Sequence, residues 1–566
     1  MRKMKYPVLL IAFLVITNSC EDALKLLPPD GLVKDEYWKT KEDVKATVMG
    51  AYQEFADMDD RLFYFGELRA DLVEEDFNLD GNLRNILQSN LRPGNPWVNW
   101  QPFYSTINFC NAVIKYSPQV KKIDQTFSDF QYEAYRSEAI FMRSLAYFYL
   151  VRIFRDVPFI LYPYDADDQN FYPEKTQSSV ILDSLETQLN RILPTIPESY
   201  ENNSETRGRA TRGATYALLA DIALWQFDYQ GCLNYIESLE ESDLYTLVPS
   251  SEWFRIFSVG NTLEGILEIQ FDSRLGQNNS LYDITITRNN NITASTYLME
   301  LLSLELSDEI VRGAGTINSY NETIWKYIGR KPDGITQRSG AEANSCNWII
   351  YRMADIVLMK AEALSQLGRY DEALAEINRI RERAFMPALS SYTETPKAFE
   401  DLILEERAKE LAYEGKRWFD LLRMGRRNDY ERKGKLIELI IQNAPATQKR
   451  ILAAKLNDVN GWYFPIHSNE TENNPNLEQN PYYQSETEPY VFTNCYSTNP
   501  DAYGKADRSW ITGTSAWMLK SLYEAILGVI KDYDGLRIDP NLPANWDKVE
   551  LSRRFRNAEY NITIVR

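Results

Sequence analysis

The stretch WIIYRMADIVLMKAEALSQLGRYDEALAEINRIRERA, residues 348–384, contains the clearest structural pattern in the chain. Apolar residues recur at helical spacing on both sides of Gly368: Ile356, Met359, Ala363 and Leu367 before it, and Tyr370, Ala373, Leu374, Ile377 and Ile380 after it. The stretch therefore predicts two amphipathic helices that pack antiparallel across one tight turn. The L-G-x-Y turn, with an alanine three residues after the tyrosine, is close to the tetratricopeptide pattern, in which a small alanine lets neighbouring helices approach. A second periodic segment, DLILEERAKELAYEGKRWFDLLRMGRR at 401–427, predicts further helix.

An earlier segment repeats this spacing. Aligning Tyr229 with Tyr370 brings further small or apolar residues into register: Ala220 with Ala361, Cys232 with Ala373, Ile236 with Ile377 and Leu239 with Ile380. In this copy Phe227 stands where Gly368 forms the turn. One helix pair cannot bury its apolar face alone, so stacked neighbours are expected. We predict a mostly α fold, a tetratricopeptide-like helical-repeat superhelix with long loop excursions.

The same period predicts helices at 41–55, 129–155 and 178–193, and another that starts near Trp100, whereas GILEIQFD at 265–272 alternates like a strand. The period fades over 58–98 and 253–340, where Asn, Asp and Gly clusters indicate long connections. The loop 160–177 carries acidic residues that could ligate Ca²⁺: Asp165, Asp167 and Asp168. The framework of a specific calcium loop is missing, so a solvated loop is the preferred interpretation.

Composition narrows the function. The 566 residues can bury a large core, and a formal net charge of -19 argues against a nucleic-acid partner, which needs clustered Lys and Arg. The five cysteines are odd in number and scattered, and His467 is the one histidine. We find no Ser-His-Asp, HExxH or Gly-rich phosphate-loop pattern, and predict no catalytic residue, metal or cofactor.

The amino-terminus resembles a lipoprotein leader. Three basic residues precede the apolar run 8–16, which is too short to span about 30 Å of hydrocarbon, so residues 1–19 are predicted to be a cleaved signal peptide. Ser19 before Cys20 fits a lipoprotein cleavage site, and acylation of Cys20 would anchor the chain without a transmembrane helix. Residues 20–40 would form the tether. The alternative is an ordinary secretory signal with cleavage nearby.

Four phrases carry a resemblance to a known family: GRATRGATYALLADIALW at 208–225, RMADIVLMKAEAL at 352–364, EGKRWFDLLRMGR at 414–426 and WYFPIHSNETENNPNLEQNPYY at 462–483. In this order, behind a lipoprotein leader, they resemble the SusD/RagB family of surface glycan-binding lipoproteins. The resemblance covers about residues 20–484 and implies a glycan-binding body at 41–484. It also implies a TonB-dependent, SusC-like transporter as partner and a lipid-anchored place on the outer surface of the outer membrane.

The resemblance implies that ligand-facing aromatic residues come from the loop excursions beside the repeats. A flat aromatic ring covers the apolar face of a sugar, and nearby Asn, Asp, Arg or Gln side chains satisfy its hydroxyls. Our glycan-binding candidates are the aromatics beside turn signals: Tyr64, Trp97, Tyr297 and Trp325. For each of them a packing role is the alternative.

The tail at 485–566 resembles the carboxy-terminal end of cellobiose-phosphorylase-like enzymes. This resemblance implies a small α+β fragment with a last helix at about 515–529 and strands at 535–538, 548–555 and 559–565. By the same resemblance, Thr512 and Gly513 match positions that help to hold phosphate. The general acid of those enzymes has no counterpart in this chain, so the tail is predicted to catalyse nothing. Its apolar helix residues would be exposed unless they dock on the body: Trp517, Leu519, Leu522 and Ile526.

Three functional hypotheses follow. The favoured one is a non-catalytic receptor that captures oligosaccharides at the cell surface for import. The alternative is a tetratricopeptide-like scaffold that binds a protein or peptide. The third is glycoside phosphorylase activity from the tail, which would release a sugar 1-phosphate.

Overall fold

The computed structural model describes two parts of the chain. The body is described over residues 37–480, apart from 77, 167, 286–291, 307–310 and 392–394. The tail is described over 495–496, 506–507, 520–531, 535–544, 546–556 and 558–565. The predicted leader, Cys20, Thr512, Gly513, Trp517 and Leu519 lie outside the described residues.

The first half of the body is helical. Its helices are α1 (Lys41–Ala56), α2 (Asp59–Glu67), α3 (Gly81–Leu87), α4 (Gln101–Ile123), α5 (Asp129–Phe154), α6 (Ser178–Ile192), α7 (Asn203–Gly208), α8 (Arg212–Trp225) and α9 (Tyr229–Glu240). Side chains before the helices fix where two of the longest begin, because Thr40 and Ser128 each form a capping box. The predicted helices at 41–55, 129–155 and 178–193 are confirmed within one residue at each end.

The second half begins with short helices, continues with longer ones and ends with a short one. They are α10 (Trp253–Ser258), α11 (Leu281–Thr285), α12 (Thr296–Leu301), α13 (Val311–Thr316), α14 (Gly340–Ala343), α15 (Met353–Gln366), α16 (Tyr370–Arg383), α17 (Pro396–Leu411), α18 (Arg417–Tyr430), α19 (Lys433–Ile441), α20 (Ala446–Asn457) and α21 (Ser468–Asn473). The helix pairs α8–α9 and α15–α16 are the two predicted repeats, and α9 packs against α15. The tetratricopeptide-like architecture is thereby confirmed.

The described strands are short and pair antiparallel in twos. They are β1 (Val73–Glu75) with β5 (Ile292–Ala294), β2 (Val157–Pro158) with β3 (Lys175–Thr176), β4 (Gly265–Ile269) with β8 (Trp348–Arg352), β6 (Ile317–Asn318) with β7 (Thr323–Ile324), β9 (Cys495–Tyr496) with β10 (Ala506–Asp507), β11 (Val529–Lys531) with β12 (Leu536–Ile538), and β13 (Lys548–Phe555) with β14 (Ala558–Val565).

Two predictions of local structure in the body are wrong. Residues 348–352 belong to a stretch that is predicted to be helical. They form the strand β8 instead, and its five residues are all buried. The β-branched and aromatic side chains of WIIYR favour an extended backbone, and β4 supplies the hydrogen-bonding partner. Tyr64 was predicted to lie on a loop, but it lies in α2, where it packs into the core.

One continuous apolar core runs through the body, from Trp38 to Leu477. In the described part of the tail, Leu527, Val529 and Ile564 form a second, small cluster, and Leu522 packs against it half-buried. The last tail helix ends at Ile526, earlier than predicted, because residues 529–531 pair with β12 instead. The described tail residues therefore have an apolar cluster of their own.

Candidate functional site

Two of the four predicted aromatics meet each other. Tyr64 is 4% exposed, and its ring meets the ring of Trp97 edge-on at a centroid distance of 4.8 Å. Trp97 is half-buried, and the Arg61 guanidinium lies 5.3 Å from its ring centroid. Arg61 also donates a hydrogen bond to the Trp97 carbonyl oxygen at 3.0 Å. Tyr64 therefore offers little surface to a ligand, while Trp97 keeps part of its ring accessible.

The other two predicted aromatics lie elsewhere. Tyr297 is the second residue of α12 and packs half-buried against the core. Trp325 follows β7, and the Arg330 guanidinium lies 5.3 Å from its ring centroid. Among the described residues, no ring contact joins Tyr297 or Trp325 to Trp97. The structure thus brings two of the four candidates together and leaves the other two apart.

A surface hollow lined by other aromatic residues lies between α4, the loop 158–173 and α21. We call it the aromatic pocket; its volume is about 250 Å³. The residues that line it are Trp100, Gln101, Tyr104, Ile107, Asn108, Asn111, Pro158, Ile160, Tyr162, Tyr164, Phe171, Pro173, Glu470, Asn473, Asn474 and Leu477. Phe171 is 50% exposed and Tyr162 is 39% exposed, so both present ring surface to solvent.

The rings of the loop support one another. Tyr164 and Phe171 are stacked, with centroids 5.4 Å apart and planes at 20°. Tyr162 meets Tyr164 edge-on at 5.6 Å. The Tyr164 hydroxyl donates to the Asn170 carbonyl oxygen at 3.0 Å, and the Tyr104 hydroxyl donates to the Pro158 carbonyl oxygen at 2.6 Å. The rings are therefore fixed before any ligand arrives.

Asparagine side chains hold the loop against the body from both sides. From α4, Asn111 donates to the carbonyl oxygens of Ile160 and Tyr162, both at 3.1 Å. On the other side, Asn474 donates to the Pro173 carbonyl oxygen at 2.9 Å. These carbonyl groups belong to no helix or strand, so side-chain donors hold the loop without regular structure. Such a preorganised site loses little entropy on binding.

Polar groups surround the rings. Gln101, Glu470 and Asn473 line the rim of the aromatic pocket and present amide or carboxylate groups. An amide group can donate to and accept from the hydroxyls of a sugar, and a carboxylate can accept from them. A pyranose has an apolar C–H face, which a flat ring can cover, and a polar edge, which such groups can bond.

The acidic residues of the same loop do not form a metal site in the described structure. Asp165 accepts hydrogen bonds from the Lys115 ammonium, at 3.0 Å, and from the Tyr116 hydroxyl. Asp167 lies outside the described residues. Within the described ranges, no group of His, Cys, Asp and Glu side chains could hold a metal ion.

For the loop 160–177, only the three aspartates are considered from the sequence, as possible calcium ligands, and no role is predicted for the aromatic rings. The pattern Y-P-Y at 162–164, followed by F-Y-P at 171–173, was a usable signal: aromatic residues beside prolines in a non-periodic segment. What the sequence does not show is that α4 and residues 470–477 complete the hollow. Asn474, which bonds to the loop, lies 301 residues after Pro173 in the chain.

The described chain contains no helix long and apolar enough to cross a membrane. Comparison with known proteins yields two family matches. Residues 264–483 match the SusD family, and residues 34–224 match a family described as starch-binding and associating with the outer membrane.

Individual relatives agree with these matches. SusD-like protein P38 of Formosa agariphila is 25% identical over 535 residues, which cover 84% of this chain and 99% of that protein. A solved structure described as a laminarin-binding SusD-like protein superposes with a TM-score of 0.61 at 21% identity, and covers 79% of this chain and all of that one. That likeness shows the fold.

A different similarity is short. Solabiose phosphorylase of Paenibacillus borealis is 38% identical over 92 residues, which are 16% of this chain and 12% of that enzyme. So small a share of the enzyme carries no statement about its activity here.

Proposed function

The chain belongs to the SusD/RagB family over its helical body, and on this premise we propose that it is a lipid-anchored receptor that captures oligosaccharides at the cell surface. Its partner would be a TonB-dependent, SusC-like transporter in the outer membrane. Family membership also indicates a binding protein rather than an enzyme. The predicted acylation of Cys20 and the outer-membrane association described for the family matched at 34–224 support this location.

The aromatic pocket carries the proposal. It is an open hollow on the body, its rings are already in place, and amide and carboxylate groups lie at its rim. The laminarin-binding relative shares the fold, which supports a carbohydrate as ligand. The rings of Tyr162, Tyr164 and Phe171 would cover sugar faces, while Gln101 and Asn473 would bond to hydroxyls.

The test is a glycan panel measured by isothermal titration calorimetry on the full chain in detergent. Phe171→Ala and Tyr162→Ala should each weaken binding of the recognised glycan at least tenfold, about 1.4 kcal/mol, because each removes a ring that faces solvent. Tyr320→Ala is the matched control: Tyr320 is 99% exposed and lies outside the pocket, so affinity should not change.

Trp97 remains a proposed contact, and Trp97→Ala belongs in the same series. If Trp97→Ala abolishes binding while Phe171→Ala has no effect, the site lies at the surface of α2 and not in the aromatic pocket. If no glycan in the panel binds and a peptide ligand does, the receptor proposal is wrong.

A further inference from the structure

A second hollow lies directly behind the loop of the aromatic pocket. We call it the arginine groove; its volume is about 490 Å³ and it lies between α4, α5 and α6. Three arginines line it, Arg136 and Arg143 from α5 and Arg191 from α6. The three arginines bring positive charge to one hollow of a chain whose net charge is -19.

Arg143 is buried without a carboxylate partner. Its two terminal nitrogens donate to neutral amide oxygens, to Asn111 Oδ1 at 2.7 Å and to Gln188 Oε1 at 2.5 Å. Burial lowers the pKa of Arg143, and the positive charge of Arg136 adds to this effect. A buried charge is costly unless an opposite charge compensates it. Within the described chain, Arg143 therefore keeps an uncompensated charge at the wall of the groove.

Arg136 adds to the unbalanced charge. Its Nε atom is buried and has no hydrogen-bond partner in the described structure. Neither Arg136 nor Arg191 forms an ion pair with any described carboxylate. Glu133 also lines the groove, at the side it shares with a neighbouring hollow around Phe130. One carboxylate thus faces three guanidinium groups.

Three other buried arginines of this chain form ion pairs with carboxylates. Arg417 pairs with Asp71 at 2.7 Å, and Arg423 pairs with Glu362 at 2.6 Å. Arg312 pairs with Glu305 at 2.7 Å and also with Glu406. The chain supplies each of these three arginines with a carboxylate, although the buried Arg69 and Arg207 donate to backbone carbonyl oxygens instead. At the open arginine groove it supplies amides, which leaves the charge available to a ligand.

The groove and the aromatic pocket share a wall. Asn111 lines the aromatic pocket, accepts from Arg143, and donates to the carbonyl oxygens of Ile160 and Tyr162. Leu161, between those two residues, lines the arginine groove instead. Leu161 and Tyr162 are neighbours in the chain, so a chain of sugars that extends from the ring of Tyr162 past Leu161 would reach the arginine groove.

We propose that the receptor takes an anionic oligosaccharide, and that the arginine groove binds a carboxylate or sulfate group of a sugar next to the one held in the aromatic pocket. This inference rests on the proposed function and adds the charge of its ligand. Guanidinium groups bind carboxylate and sulfate-like oxyanions through paired, charge-assisted hydrogen bonds. The anion would compensate the positive charge that Arg136, Arg143 and Arg191 bring to the groove.

Two matched pairs of probes test the charge. One pair is galacturonate oligosaccharides and their methyl esters, and the other is carrageenan oligosaccharides before and after desulfation. Calorimetry on the full chain should show at least tenfold tighter binding of the charged member of one pair, and this preference should shrink as salt is raised. The pair that responds identifies the anion as carboxylate or sulfate.

The variants locate the charge. The double variant Arg136→Gln, Arg191→Gln should lose the preference for the charged member while it keeps affinity for the neutral one. Both side chains reach solvent, so the fold should persist, and a circular dichroism melt checks this. Arg450→Gln is the control, because Arg450 is an exposed arginine outside the groove.

Equal affinity for the charged and neutral members of both pairs overturns the inference, and so does a preference that survives in the double variant. If neutral glycans bind and Phe171→Ala abolishes that binding, the proposed function stands without the arginine groove. If no glycan binds at all, both fall together.

Discussion

At Gly66 the backbone of α2 touches the backbone of the segment that follows α17. A methyl group at Gly66 would lie 2.0 Å from the Gly415 carbonyl oxygen, so one of the two segments would have to move. We predict that Gly66→Ala lowers the free energy of unfolding by at least about 2 kcal/mol, measured by urea titration. Gly434→Ala, in α19 with open space around it, should leave stability unchanged or raise it by up to about 1 kcal/mol.

Glu67, the next residue, should make stability depend on pH. Burial raises its pKa to about 8, although the N–H groups of Lys416 and Gly415 donate to it and oppose the shift. The unfolded chain loses this proton near pH 4.5, so this group's contribution to stability falls as pH rises from about 4.5 to about 8.

Glu67→Gln keeps the shape and removes the titration. Relative to the wild type, its free energy of unfolding should rise by more than about 1 kcal/mol between pH 5 and pH 8. Glu342→Gln is the control: Glu342 is exposed and its pKa is lowered to about 2, so its difference from the wild type should be the same at both pH values. A Glu67→Gln difference that does not vary with pH would contradict the assignment.

At the scale of single residues, the sequence predicted poorly which rings reach solvent. Tyr64 and Tyr162 both lie in segments that lack a clear period, yet Tyr64 is packed in a helix and Tyr162 lines the pocket. The difference comes from tertiary partners. Asn111 holds the loop of Tyr162 outward, and Trp97 covers Tyr64. Neither contact has a local sequence signal.

In α16, replacing an alanine by a larger residue should destabilise the protein only on the helix face that packs into the core. Ala373 is fully buried, whereas Ala375, two residues later in the same helix, is exposed. Ala373→Leu should lower the free energy of unfolding by about 1–3 kcal/mol, because the close-packed core cannot accept three more carbons without displacement. Ala375→Leu is the matched control and should change little. Equal effects in the two variants would contradict the tetratricopeptide register.

The repeat was the most predictable element, and its turn shows why. Gly368 has φ +76°, a left-handed conformation that ends α15 and favours glycine. Phe227, which the alignment placed at the same position of the other repeat, has φ +66°. The backbone geometry is therefore kept although the residue suited to it is lost. By contrast, β8 was missed because its pairing with β4 joins segments about 80 residues apart, which local periodicity cannot register.

At the scale of the whole molecule, the sequence predicted the helical body, and the long-range contacts that build the pocket emerge only from the structure. Periodicity identifies each helix and one alanine spacing identifies the repeat. The pocket needs α4, the loop 158–173 and α21 together, and the arginine groove needs α4, α5 and α6. The element that both sites share is α4, so variants that displace α4 should affect neutral and charged ligands alike.

The tail provides the last prediction. The body has one apolar core that ends at Leu477, while the described tail residues centre on Leu527, Val529 and Ile564. We therefore propose a boundary near residue 485 and expect a chain truncated after residue 484 to melt at the same temperature as the full chain and to bind the same glycan with the same affinity. Truncation after residue 460 is the comparison: it removes Trp462, Phe464 and Ile466 from the core and should destabilise the body strongly. A large loss of melting temperature on removal of residues 485–566 would show that the tail is an integral part of the body.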